Sequence, residues 1–267
     1  MHVHTNRPDL AMKNALKLGE LDSVKVENMV EQNRVLNEKR ESEKAEMKEY
    51  GIISVCSGKG MEAIFNDLGI DKIVEGGQTM NPSTDDILKA IHATPARTVF
   101  VLPNNKNIIM AAEQAVNLAD RNVCVLPTRT IPQGISALMA FDESNTFTDN
   151  RMEMIKAIER VSTGQVTFAA RDSEIEGVPI KQGEIMGLCN GKIKYTGSDI
   201  TDIAYKSAVK VFKKYQSSII TIIYGADATE ADAEEVKRRL ADKYGDEVEI
   251  SIVNGGQPIY YFIISVE

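Results

Sequence analysis

Between positions 52 and 141, short apolar runs alternate with amphipathic stretches, and that alternation restricts the chain to very few architectures. Residues 52–56 (Ile-Ile-Ser-Val-Cys), 98–102 and 122–126 are near-continuously apolar and of strand length, with a shorter strand at 72–75. Strands that do not alternate apolar with polar residues are buried on both faces, as in a parallel sheet held between two layers of helices. The intervening segments supply those helices. One covers 61–68 and closes at Gly69, and one enters at Ser83 or Thr84 with Asp85 and Asp86 against the positive end of its dipole; two more span 108–119 and 135–141. The segment 46–150 therefore reads as a doubly wound parallel α/β lobe.

From 151 onward the order of elements changes. A helix at 152–160 precedes a strand at 165–170, and Ile185–Cys189 and Lys192–Tyr195 form a hairpin around Asn190-Gly191. Asn-Gly suits a two-residue hairpin turn because both residues tolerate positive φ. A long helix at 200–215, a strand at 218–224, a helix at 230–244, a strand at 247–253 and an apolar run at 259–266 complete a second, α+β lobe with a mixed sheet.

Residues 1–45 fit neither lobe. His2-Val3-His4 reads as a strand end with no partner in its own sequence, so the chain is expected to begin inside a domain whose upstream part is absent. A helix begins at Pro8 and Asp9 and carries Leu10, Ala11, Ala15 and Leu18 to a cap at Gly19; Val24 and Val26 alternate with Lys25 and Glu27. The run 31–49, rich in Glu, Lys, Arg, Asn and Ser, reads as a solvated helix or linker ahead of the main body.

Composition excludes several function classes. The formal charge of −8 argues against a sequence-independent nucleic-acid binder, which needs a net or clustered positive surface. Three cysteines without CxxC spacing form neither a disulfide framework nor a thiolate zinc cluster and fit a reducing cytoplasm. No apolar run has the length of a membrane span, and the N-terminus has no signal pattern.

In an open parallel sheet, the loops leaving the C-terminal strand ends converge on a crevice where ligands bind. Here these loops carry Ser57 and Lys59, then Thr79 and Asn81, then Asn104-Asn105-Lys106-Asn107, then Arg129. Neutral hydrogen-bonding groups, cations and helix N-termini together suit an anion or an amide; the plainer reading is that the same residues cap helices and shape turns. Ser57-Gly58-Lys59-Gly60 is not a P-loop, because GxxxxGK[ST] is absent. On a strand, His2 and His4 point to one side and can supply half of a zinc site. His92 reads as a surface or capping residue near a helix end.

Glu75-Gly76-Gly77-Gln78-Thr79-Met80-Asn81-Pro82-Ser83-Thr84, Val101-Leu102-Pro103-Asn104-Asn105-Lys106-Asn107, Pro127–Gly134, Asn254-Gly255-Gly256-Gln257-Pro258 and His2-Val3-His4-Thr5-Asn6 resemble one family. That family is the large, dihydroxyacetone-kinase-like subunit of bacterial fatty acid kinase, and the resemblance covers essentially the whole chain. It implies the tail of a middle domain (1–45) followed by a C-terminal domain with a two-lobed DegV-like fold. It implies that ATP and magnesium are bound by an upstream nucleotide-binding domain, so that the chain is inactive by itself. His2 and His4 match the family's functional histidines, catalytic and metal-associated, at a site completed by an upstream cysteine. The implied partner is an acyl-binding protein of the DegV-like family, which would also make any contact with the membrane surface. Pairing of two chains is expected through the middle domain.

In DegV-like folds a fatty acid lies between the lobes, its carboxylate held by a Thr-Ser-Gln-Pro-type loop and a Ser/Gly-rich loop. Thr79-Met80-Asn81-Pro82 keeps the threonine, whereas Asn104–Asn107 and the bulky Ile108 and Ile109 replace the small residues. Docking of an acyl carrier is therefore the leading expectation. The alternative, a bound fatty acid, requires a long apolar tunnel behind Thr79, lined by residues such as Met110, Ile135 and Met139.

Overall fold

The structure, a computed structural model, describes residues 5–19, 47–77, 81–175, 178–215 and 218–267. They belong to two compact units, residues 1–47 and 48–267. In the first, helix α1 (Pro8–Ala15) starts with proline at its first position and Asp9 in its first turn, and buries none of its residues. It ends at Leu16 rather than reaching Gly19. The strand expected near Val24, and most of the charged run that follows, lie outside the described residues, as do His2 and His4.

The second unit opens with the expected parallel sheet. Strands β1 (Lys48–Cys56), β2 (Lys72–Glu75), β3 (Ala96–Leu102) and β4 (Asn122–Val125) lie in the order β2-β1-β3-β4, every neighbouring pair parallel. Alternate residues serve opposite faces. Ile53, Val55, Val99 and Val101 pack under α3 (Thr84–Ala93) and α4 (Lys106–Val116), together with Ile87, Ile91, Ile108 and Ala112. Ile52, Cys56, Phe100 and Leu102 face the other way, onto Met61 and Phe65 of α2 (Lys59–Asp67), Ala137 of α5 (Ile131–Met139) and Met154 of α6 (Phe147–Arg160). Burial on both faces accounts for the unbroken apolar character of these strands.

The second sheet has the order β11-β10-β12-β5-β8-β9. It comprises β5 (Ser162–Phe168), β8 (Ile185–Cys189), β9 (Lys192–Gly197), β10 (Ile219–Tyr224), β11 (Glu249–Asn254) and β12 (Phe262–Val266). Only β10 and β11 run parallel, so this sheet is mixed, as expected. The hairpin β8–β9 turns at Asn190 (φ 49°) and Gly191 (φ 78°), the left-handed pair that a type I′ turn requires. A small ribbon of β6 (Ser173–Ile175) and β7 (Val178–Ile180) extends from β5. Helices α7 (Ile200–Tyr215) and α8 (Glu230–Tyr244) cover one face, with Ala204, Ala208, Val236 and Leu240 against Val166, Ile222 and Ile264.

Position 150, the expected lobe boundary, falls inside α6. Thr146 caps that helix by accepting from the Asp149 N–H, and its buried Met154 and Ile158 pack in the same core as Phe100. Ile223 and Ile263 of the second sheet enter this core as well, so the two lobes are joined through shared apolar packing.

Candidate functional site

The loops expected to form the crevice do leave the C-terminal ends of β1, β3 and β4, and the second lobe meets them there. Gly58 (φ 109°) starts α2 in a conformation that favours glycine, and a Cβ on Gly60 would overlap the Asn254 carbonyl. The Met61 N–H donates to the Gly255 carbonyl at 3.1 Å. The loop Ser57–Gly60 and the loop Asn254–Gln257 thus approach at backbone distance, which only glycine permits. Thr130 and Thr163 join their hydroxyls across the lobes at 2.9 Å.

Asn104 is the hub of the first-lobe loops. It sits at φ 54°, buried, a conformation that asparagine tolerates better than other residues with a side chain. Its N–H donates to Thr128 Oγ1 at 3.0 Å, and its Nδ2 donates to Ser54 Oγ at 2.8 Å and the Val55 carbonyl at 2.9 Å. The Val55 carbonyl can only accept, so the amide orientation is fixed, and Oδ1 is left against the backbone of Gly134 without a hydrogen bond. Gln257 behaves alike from the other lobe: Nε2 donates to the carbonyls of Ile223 and Tyr260, and Oε1 rests unbonded against Gly255.

Between the lobes lies a cavity of about 220 Å³. Ser57, Asn104 and Asn105 of the expected site residues line it, beside apolar Val55, Ile108, Ile131 and Ile263. Asn105 also caps α4, its Oδ1 accepting from the Asn107 N–H at 2.9 Å. Lys59, Asn81, Lys106, Asn107 and Arg129 are exposed and none lines the cavity. Lys59, Lys106 and Arg129 form no ion pair among the described residues and follow three adjacent strands, so three cations stand along this edge of an acidic protein, with Glu75 exposed at the end of the fourth strand. Thr79 lies outside the described residues, as do His2 and His4. Among the described residues no group of three or more His, Cys, Asp or Glu side chains could hold a metal. His92 is half-exposed in the last turn of α3, with Nε2 3.7 Å from Asp120.

The tunnel required for a long acyl chain is not formed by the expected residues. Met110 and Met139 are 68% and 70% exposed and line no wall of this cavity, and Ile135 packs in the core shared by the lobes. The second-lobe contribution escaped the sequence reading: Gln165, Gln257 and Ile259 line the cavity. A signal for Gln165 was present, since Thr163, Gln165 and Thr167 alternate with apolar residues on a strand whose residues are nearly all buried. Cys56, at the cavity wall, has its thiol pushed up to about 12 by burial and by the acids Glu62 and Glu75, which keeps it protonated and unreactive.

The fold is that of DegV proteins. The structure resembles the DegV family protein Cg2579 from Corynebacterium glutamicum with a TM-score of 0.60 over 82% of this chain and 97% of that one, at 13% identity. It also resembles the Streptococcus pneumoniae fatty acid kinase B3 protein loaded with linoleic acid, with a TM-score of 0.55 over 82% and 99%, at 12% identity. In sequence, protein YloV of Bacillus subtilis is 42% identical over 272 residues, covering all of this chain, and an uncharacterized protein of Staphylococcus haemolyticus is 41% identical over 274. The chain spans about half the length of these relatives, 49% in each case. Residues 51–267 match the C-terminal domain, and residues 1–36 the middle domain, of the FakA-like fatty acid kinase proteins. The chain belongs to the FakA-like fatty acid kinase family.

Proposed function

We propose that this chain is the part of an ATP-dependent fatty acid kinase that docks an acyl-loaded, DegV-like fatty-acid-binding protein and presents its carboxylate for phosphorylation. The observation that carries the reading is the contrast at the crevice. Lys59, Lys106 and Arg129 stand along the strand ends without an ion pair among the described residues, while the cavity, about 220 Å³, is smaller than the roughly 300 Å³ at which ligand pockets usually begin. An edge that carries three cations outside a cavity this small suits recognition of an acidic protein better than storage of a long acyl chain. Phosphoryl transfer depends on positioning and charge stabilisation, so a domain that only orients the carrier can contribute to rate without touching ATP.

In this reading ATP and magnesium belong to a separate nucleotide-binding domain, and His2 and His4, with zinc or without, belong to the middle domain, through which two chains would pair. The second reading, a fatty acid held between the lobes, is favoured by the position of the cavity and opposed by its size. Reversal of the three cations (Lys59→Glu, Lys106→Glu, Arg129→Glu) tests the first reading. Co-sedimentation with a fatty-acid-loaded DegV-family protein is expected to fall at least about tenfold and to weaken with salt, as exposed charge pairs do. The change Lys72→Glu, at the N-terminal end of β2 and so at the opposite end of the sheet, is expected to leave it unaltered. Equal loss in both would contradict docking at the cationic edge.

A further inference from the structure

We propose that the inter-lobe cavity binds a small uncharged amphiphile, an apolar body with an amide or hydroxyl head of about nine non-hydrogen atoms in all, anchored by Gln165. Gln165 is 8% exposed, and its side chain makes no hydrogen bond among the described residues. Its neighbours on the same face of β5 are satisfied: Thr163 bonds Thr130 Oγ1, and Thr167 donates to the Ile259 carbonyl at 2.9 Å. The Gln165 amide is not among the polar atoms sealed away from solvent, so at the cavity wall it has a donor and an acceptor free for water or for a ligand that displaces it. Asn105 and Ser57 line the same cavity, and the Asn105 amide nitrogen and the Ser57 hydroxyl are likewise without a hydrogen bond among the described residues.

The charge of the lining selects against an acid. Glu75 is the only charged side chain that faces the cavity among the described residues, and no cation does. An ionised carboxylate would enter without a counter-charge and beside a like charge, which is unfavourable in a buried site. An amide or alcohol can both give to and accept from the Gln165 amide. Size sets the remaining limit. A 150 Å³ cavity holds benzene, so about 220 Å³ accommodates about nine non-hydrogen atoms and excludes a long-chain fatty acid. This inference is independent of carrier docking, which uses the outer edge.

The test is calorimetric titration of the whole chain with hexanamide, hexanoate and palmitate at pH 8, with nuclear Overhauser contacts from hexanamide to the Ile108 and Ile263 methyl groups as a readout needing no variant. Saturable 1:1 binding of hexanamide is expected, with hexanoate at least about tenfold weaker. The change Gln165→Leu is expected to weaken hexanamide by at least about tenfold with an unchanged circular dichroism spectrum. Absence of saturable hexanamide binding, equal binding by the leucine variant, or tighter binding of hexanoate or palmitate would each overturn the proposal.

Discussion

At the scale of single residues, Asn104 does three things that no other side chain combines. It adopts φ 54°, gives two side-chain hydrogen bonds to β1, and fits against Gly134. The change Asn104→Ala leaves two buried acceptors unmet and places alanine in the left-handed region, so urea denaturation is expected to show a loss of about 2–4 kcal/mol; a loss below about 0.5 kcal/mol would remove the hub role. The cysteines give a second prediction. Cys56, Cys124 and Cys189 are buried and burial raises each thiol, so a thiol reagent at pH 8 is expected to modify none of them until the chain unfolds. Because the Cys56 thiol rises from its ordinary 9.0 to about 12, the stability that its neutral form provides is complete below pH 9 and lost as pH rises toward 12. A transition midpoint that stays constant across that range would contradict this. The asparagines of the 104–107 loop were legible as site residues. Their geometry was not, because the partners Ser54, Val55 and Thr128 are brought to them only by sheet order.

At the scale of elements, local chemistry was a good guide and boundaries were set by tertiary contact. Helices α7 and α8 have the bounds that periodicity and caps gave. Helix α5 begins at Ile131 rather than 135 because Thr130 caps it and Pro132 suits its first turn. Helix α6 begins at Phe147, inside a segment that reads as polar linker, because Thr146 caps it and Phe147, although 41% exposed, stacks on Phe100 at 5.7 Å. Strand β1 starts at Lys48, within the charged run, because Lys48 pairs with Ala96 and its amine binds Asp71 at 2.9 Å. Where a cap decides, its removal is measurable. Ser83 and Thr229 each form a capping box, with Asp86 and Asp232. Replacing either by alanine is expected to cost about 1 kcal/mol in urea melts, and the two changes, in separate lobes, are expected to add.

At the scale of the whole molecule, the two lobes were legible as two separable patterns, parallel strands buried on both faces and a mixed sheet with an Asn-Gly hairpin, whereas the DegV-like fold was what the family resemblance implied. Their union did not follow from periodicity. It rests on Ile223 and Ile263 reaching the first-lobe core and on glycines 58, 60 and 255, whose close approaches are invisible until the lobes are placed. That union closes the cavity to about 220 Å³ and leaves Lys59, Lys106 and Arg129 outside it, which is why the account assigns the outer edge to a carrier protein and the interior to a small neutral ligand. Isothermal titration of this chain with a purified, fatty-acid-loaded DegV-family protein tests that assignment most directly. The account predicts saturable 1:1 association that the triple reversal of Lys59, Lys106 and Arg129 abolishes. Absence of association, or association indifferent to that reversal, would contradict it.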